Sequence, residues 1–286
     1  MTPPQLSTWQ TTNDDGLPYL AYWEWEGEGP ALVFAHATGF HARCWDQVIR
    51  HFPGRHVIAP DLRGHGRSPK PAPPYRWKSF GEDLARLADG LDLKDAVGIG
   101  HSMGGHTVVA AAAMRPATFE RMVLVDPTIW VEGRYGQASL DASFIARRRN
   151  AWNSPAEMYE RFSGRVPFSR WKPEVLRDYC EFGLLPNGNE FVLACPPEVE
   201  RSIYGHSTEA EANLHPVIPS LRQPVVVVRG GIPWNGLTFD LDASPTDPGL
   251  AAKFPNGQDV FLEGRSHYIP METPEIVAHW IEVMEA

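Results

Sequence analysis

The chain is short of cysteine, has no surplus of positive charge and holds no long apolar run, and each shortage removes a class of protein. Its three cysteines, Cys44, Cys180 and Cys195, are odd in number, widely spaced and in no C-x-x-C arrangement. That argues against a disulfide framework and for a reducing compartment. Lys and Arg total 26 against 35 Asp and Glu, a formal net charge of −9, which argues against nucleic acid or an anionic membrane as partner. The basic cluster Arg147-Arg148-Arg149 is accounted for by a solvated helix face. The longest wholly apolar run, Val108 to Met114, is far too short to span a bilayer. Residues Met1 to Gly16 are polar and lack the basic start and apolar core of a signal peptide, so a cytoplasmic protein is expected. There are no internal repeats and no low-complexity tract.

What is present is an ordinary globular composition, 43% hydrophobic and 21% charged over 286 residues, enough to bury about three quarters of the unfolded chain's surface. Short continuous apolar runs read as buried strands: Ala31 to Ala35, His56 to Ala59, Ala96-Val97, Arg121 to Val125, Pro224 to Val228 and Asp259 to Leu262. Tyr19 to Glu26 alternates apolar and acidic positions and reads as an edge strand or hairpin arm. Helical patterns fall between these runs, around Trp45–Phe52, Ser79–Leu91, Thr107–Met114, Gly249–Phe254 and Pro274–Met284. The alternation predicts an α/β fold with a mostly parallel central sheet flanked by helices. From Thr128 to about Leu221 the pattern changes. No strong strand is evident, and helix-sized aromatic pieces appear at Leu140–Trp152, Ala156–Ser163, Pro173–Phe182 and Pro197–Tyr204. This reads as a helical insertion, 128–221, within a core made of 1–127 and 222–286.

The chemistry centres on Gly98-Ile99-Gly100-His101-Ser102-Met103-Gly104-Gly105, a G-x-S-x-G pattern between a strand and a helix. Such a serine sits on a sharp, strained turn, and only glycines can pass so close. The following helix directs its N–H groups at negative charge forming near Ser102. A serine hydroxyl needs a general base, and His267, on a loop after the last strand, is placed to supply it. The base needs a carboxylate to hold its tautomer. The place after the strand that follows the serine's helix offers Asp126. The place after the next strand, Arg229-Gly230-Gly231-Ile232-Pro233-Trp234-Asn235, has no acid, and Asp240, Asp242 and Asp247 lie further on. Asp126 is the assignment, with Asp240 the main alternative. Oxyanion donors are expected from the backbone N–H groups of Met103 and Thr38, with Ala37 and Phe40 alternatives for the second. His36, His101 and His106 read as structural, and none of their spacings is that of a helical metal site. Gly64-His65-Gly66 lacks the lysine of a phosphate loop. No metal and no cofactor are expected.

Together these residues resemble the α/β-hydrolase superfamily, close to its single-domain esterase and peroxidase-like members. The resemblance rests on His36-Ala37-Thr38-Gly39, Asp61-Leu62-Arg63-Gly64-His65-Gly66-Arg67-Ser68, the serine turn and Gly264 to Pro274, and it extends over nearly the whole chain. It implies an α/β-hydrolase fold with a helical cap after the sixth strand, matching 128–221. The chain departs from the family in having His36-Ala37 for the usual His-Gly, and in lacking an acid after the seventh strand. Some relatives, haloalkane dehalogenases among them, place the acid after the sixth strand, which supports Asp126. Ser102 in place of an aspartate argues against dehalogenase and epoxide hydrolase activity.

The expected function is hydrolysis of carboxylic esters of small to medium apolar or aromatic substrates through an acyl-enzyme. Phe40, Trp130 and Tyr268 are the candidate substrate contacts, and the cap aromatics Trp152, Tyr159, Phe162, Phe168, Trp171 and Tyr179 supply either cap core or substrate surface. Carbon–carbon bond hydrolysis and lactone opening use the same triad. A hydrolase-fold ligand receptor is the alternative outside enzymes. A small-molecule substrate is the partner expected, and the sequence assigns no oligomeric state.

Overall fold

The computed structural model describes residues 2–10, 19–137, 141–232 and 240–286. Its large sheet has eight strands: β1 (Gln5–Gln10), β2 (Tyr19–Trp25), β3 (Glu28–Ala35), β4 (Arg55–Pro60), β5 (Ala96–His101), β6 (Phe119–Val125), β10 (Val225–Gly230) and β11 (Gly257–Leu262), in spatial order β1-β2-β4-β3-β5-β6-β10-β11. Pairing is antiparallel at β1/β2 and β2/β4 and parallel from β4 onward. Tyr19–Trp25 is therefore covered on both sides. The edge belongs to β1, whose polar, half-exposed sequence carries no strong strand signal.

Alternate residues of the apolar strands pack to opposite faces, as a period of two requires. Val33, Ala35, Ile58 and Leu124 meet helices α2 (Trp77–Gly90) and α3 (Met103–Met114), together with Leu250 and Ala251 of α7 (Leu250–Lys253). Leu32, Phe34, Ile99, Val123 and Val226 meet α1 (Asp46–Ile49) and α9 (Pro274–Glu285) through Val48, Ile49, Val277 and Ile281. Each fully buried Leu, Ile, Val or Phe adds roughly 1.5–3 kcal/mol. Helix α2 buries Trp77, Phe80, Leu84 and Leu87 along one stripe, the 3–4 spacing of an amphipathic helix. Helix α3 is buried nearly all round, which explains its run of alanines.

Segment 128–221 lies beside the carboxyl ends of the strands. It contains α4 (Pro155–Ser163), α5 (Pro173–Phe182) and α6 (Pro197–Gly205), close to the expected pieces. Three expectations for it fail. Residues 145–147 form a single 3-10 turn and Ala151–Trp152 enters a strand, β7, so the helix expected over Leu140–Trp152 does not form in its described part. Arg148 is also drawn inward, to Glu200, instead of lying on a solvated helix face. In addition, β7 joins β8 (Leu184–Asn187) and β9 (Glu190–Leu193) in a small antiparallel sheet. The β8–β9 hairpin turns at Gly188-Asn189 with Gly188 at φ 62°, a glycine-led tight turn of the kind hairpins favour. Pro186 within β8 masks that signal in the sequence. The segment's aromatic core, including Trp152, Met158, Trp171 and Tyr179, continues into Phe40 and Tyr268 of the strand-end loops and into Met271 just beyond them. A last short helix, α8 (Ile269–Glu272), follows the His267 loop.

Candidate active site

Parallel register brings the ends of β5, β6 and β10 level. The amide of Ser102 donates to the Val125 carbonyl at 3.1 Å, and that of Asp126 to Val228 at 2.7 Å. Ser102 then caps α3 with φ 56° and ψ −121°, a strained conformation for any residue with a Cβ. The flanking glycines are sterically required. A Cβ on Gly100 would lie 2.4 Å from the Gly104 carbonyl oxygen, and one on Gly104 would lie 2.0 Å from that of Ala35.

Ser102 Oγ is 2.9 Å from His267 Nε2, and His267 Nδ1 is 2.6 Å from Asp126 Oδ2. Asp126 is fully buried. With its carboxylate at Nδ1, His267 carries its proton there and Nε2 is free to accept from Ser102. The other oxygen, Asp126 Oδ1, accepts from the Gly230 amide at 2.8 Å and the Ser244 hydroxyl at 2.7 Å, with Thr246 Oγ1 at 3.4 Å. The stretch after the seventh sheet strand, which lacks an acid near its start, thus supplies donors that hold an acid borrowed from the sixth.

The competing acids are committed elsewhere. Asp240 Oδ1 accepts the Asp242 amide at 2.9 Å, though Asp240 borders the cavity over Ser102. The Asp242 carboxylate pairs with Arg170 at 2.6 Å while its carbonyl accepts the His267 amide at 2.8 Å. Asp247 pairs with Lys253 at 2.8 Å.

The buried histidines order this arrangement. His101 donates from Nε2 to the His267 carbonyl at 2.8 Å, and its ring lies tilted against that of His267, centroids 4.9 Å apart. Burial pushes His101 well below the usual histidine range, with His267 acting in the same direction. It therefore stays neutral and serves as a fixed donor. His36 Nε2 accepts the Leu62 amide at 2.9 Å, and His65 Nε2 accepts the Gly39 amide at 3.0 Å. Both are shifted down by burial, which preserves these acceptor nitrogens. Asp61 fixes the same region by accepting the amides of Ala42 and Arg67 at 2.8 and 2.9 Å. The Asp61–Ser68 motif is thus the brace of the loop that carries Thr38. His106 donates to the Ala212 carbonyl at 2.8 Å and is pushed down to about 4 by burial.

Thr38 borders the small cavity, about 50 Å³, on which Ser102, His267 and Trp130 also open. The amide of Met103 is at the first position of α3, where intrahelical bonding leaves N–H groups without partners. The Met103 side chain is buried and takes the Thr38 hydroxyl at 3.4 Å. Phe40 and Tyr268 border a second cavity of about 180 Å³, which also touches Thr38. One contact to the serine had no sequence signal: Thr128 Oγ1 is 3.0 Å from Ser102 Oγ, and its amide donates to the Ser102 carbonyl at 3.0 Å. With Ser102 donating to His267, Thr128 is the donor in this pair. Among the described residues, no group of three or more His, Cys, Asp or Glu side chains is placed to hold a metal ion. No helix among them is long and apolar enough to cross a membrane.

A family model, the alpha/beta hydrolase family, matches residues 32–280. The chain belongs to this family, and its fold is the alpha/beta hydrolase fold, with a mostly parallel sheet flanked by helices. The chain is 27% identical over 226 residues to 3-oxoadipate enol-lactonase 2 of Acinetobacter baylyi, covering 77% of each. It is 27% identical over 259 residues to a 2-(acetamidomethylene)succinate hydrolase of Mesorhizobium japonicum, covering 88% of this chain and 86% of the other. The crystal structure of an E-2-(acetamidomethylene)succinate hydrolase matches with a TM-score of 0.77 at 23% identity, over 98% of this chain and 99% of that one. At that identity the structural likeness is one of fold.

Proposed function

We propose that the chain is a serine hydrolase that cleaves carboxylic esters of small to medium apolar or aromatic substrates through an acyl-enzyme. The observation that carries this reading is the unbroken hydrogen-bond chain Ser102–His267–Asp126, at 2.9 and 2.6 Å, beside a cavity. In the proposed reaction Ser102 Oγ attacks the ester carbonyl carbon as its proton passes to His267 Nε2. Asp126 holds the imidazole and stabilises the imidazolium without taking the proton itself. The backbone N–H groups of Thr38 and Met103 donate to the oxyanion, assisted by the N-terminus of α3. The tetrahedral intermediate collapses, and the leaving alkoxide takes the proton from Nε2 and departs as the alcohol. Water then gives a proton to Nε2 and attacks the acyl carbon. Ser102 leaves with that proton, and the carboxylic acid is released.

Segment 128–221 acts in this reading as a cap that closes over the acyl group, with Trp130 in the first cavity and Phe40 and Tyr268 in the second as substrate contacts. Lactone opening is the second reading. It uses the same steps with the alcohol tethered, and a relative named as an enol-lactonase that matches over 77% of both chains favours it.

A panel of p-nitrophenyl esters of increasing acyl size, with simple lactones alongside, tests the proposal. Turnover of esters that is lost in Ser102→Ala supports it. Turnover of no ester and no lactone by the intact protein sinks it.

A further inference from the structure

We infer that the second cavity receives an aryl acyl group bearing a hydroxyl at its far end, read jointly by Arg148 and Glu200. This inference rests on Ser102 as the acyl-transfer nucleophile, because the cavity adjoins the nucleophile's own cavity, sharing Thr38, Tyr204 and Leu241 as lining.

The wall of the cavity is aromatic. Phe40 stands with its ring centroid 5.3 Å from Tyr179, 5.7 Å from Trp171 and 6.2 Å from Tyr268, and Tyr268 is 5.8 Å from the His267 ring. These separations are those of rings in contact, so an aryl group entering from Ser102 meets π faces and edges throughout. A volume of about 180 Å³ accommodates such a group.

Into this apolar wall the chain inserts one ion pair. An Arg148 Nη1 hydrogen bond ends on Glu200 Oε2, and Nη2 lies 3.4 Å from the Tyr179 hydroxyl. The Glu200 side chain is only 3% exposed. Its carboxylate lies against the loop that carries Thr38: a Cβ on Gly39 would come 3.0 Å from Glu200 Oε1, and Gly39 has φ 79°. A pair this costly to desolvate is weak evidence for stability, and core packing alone does not call for it at the edge of a substrate cavity.

The pair has a definite complement. A guanidinium offers five N–H donors and no acceptor, and an ionised carboxylate accepts only. Side by side they match a neutral group that accepts and donates through one atom, as a phenolic hydroxyl does. A bare ring would cover both ions without replacing their lost water. A carboxylate would be drawn by Arg148 but repelled by Glu200, and would shed its own hydration on entry.

The test compares ethyl esters of 3-phenylpropanoic, 3-(4-hydroxyphenyl)propanoic and 3-(4-carboxyphenyl)propanoic acids. Turnover is measured with the intact enzyme and with Glu200→Gln, and binding of the same esters to Ser102→Ala is measured by calorimetry. The hydroxyaryl ester should exceed the unsubstituted one by about tenfold or more in kcat/KM and in affinity, and the carboxyaryl ester should rank last. Glu200→Gln should shrink the hydroxyl preference and raise the carboxyaryl ester relative to the other two, because Arg148 is then an uncompensated cation. Preference of the intact enzyme for the carboxyaryl ester, or three esters within about twofold of one another, would overturn the inference. The wild-type ranking decides this even if Glu200→Gln fails to fold. No ester turnover together with selective binding of the hydroxyaryl ester to Ser102→Ala would overturn acyl transfer and leave the recognition intact. Neither turnover nor binding overturns both.

Discussion

At the scale of single residues, Asp126 shows how position outweighs residue type. Its φ is 42°, an unusual value for aspartate, and it is held there by a backbone bond to Val228 and two donors on Oδ1, the Gly230 amide and the Ser244 hydroxyl. An asparagine would fit the same space but could not accept the His267 Nδ1 proton and keep every other bond. We expect Asp126→Asn to lower kcat by on the order of 10⁴, and Asp240→Asn to leave it within about twofold. Steady-state kinetics on the best ester of the panel checks this, and the reverse outcome assigns the acid to Asp240. Ser102 and His267 were readable because glycine spacing and loop position leave a local trace. Thr128, Ser244 and Thr246 were not, because a hydroxyl on a loop carries no sign of what it will face until strands distant in sequence are set level.

At the scale of elements, α5 is fastened to the core by contacts with a pH dependence of their own. The Gln47 side-chain amide donates to Asp178 Oδ2 at 2.5 Å, and the Arg43 guanidinium lies 3.8 Å from the centre of the Phe182 ring. Burial pushes the Asp178 carboxyl from an ordinary 3.8 up to about 6, against the opposing effect of the Gln47 bond. The folded state therefore keeps a proton that the unfolded chain has released, so this group costs stability as pH rises from about 4 to 6 and the full cost persists above that. Asp178→Asn removes the charge and keeps an acceptor for Gln47. It should be more stable than the wild type by about 1 kcal/mol at pH 7, allowing for solvent screening, and no more stable at pH 4. Urea unfolding at the two pH values measures this, and a difference that does not change with pH contradicts it.

The same scale shows where sequence patterns serve well and where they fail. The apolar periods of α2 and α9, the alanine-rich run of α3 and the continuous runs of β3, β5, β6 and β10 were legible, because each must bury a stripe, a face or, in α3, nearly its whole surface. The stretch around Arg148 has no such stripe. Its conformation is set by Glu200, 52 positions away, and a helix read from composition there misses the partner. The β8–β9 hairpin lay open in Gly188-Asn189 but was obscured by Pro186.

For the whole molecule, the level strand ends of a parallel sheet gather residues from four separate loops. Ser102, Asp126, Ser244 and His267 meet only because β5, β6, β10 and β11 lie side by side in that order. The alternation of strand and helix patterns made that sheet legible, and with it the end at which the site lies. The two neighbouring cavities were not legible, since their shape depends on how segment 128–221 packs across those ends. The most direct test of the central claim is covalent. A fluorophosphonate probe should phosphonylate the intact protein once, with the adduct located by mass spectrometry on the peptide containing Ser102, and Ser102→Ala should take up none. Full labelling of Ser102→Ala, or an adduct on another residue of the intact protein, would contradict the assignment of Ser102 as the nucleophile.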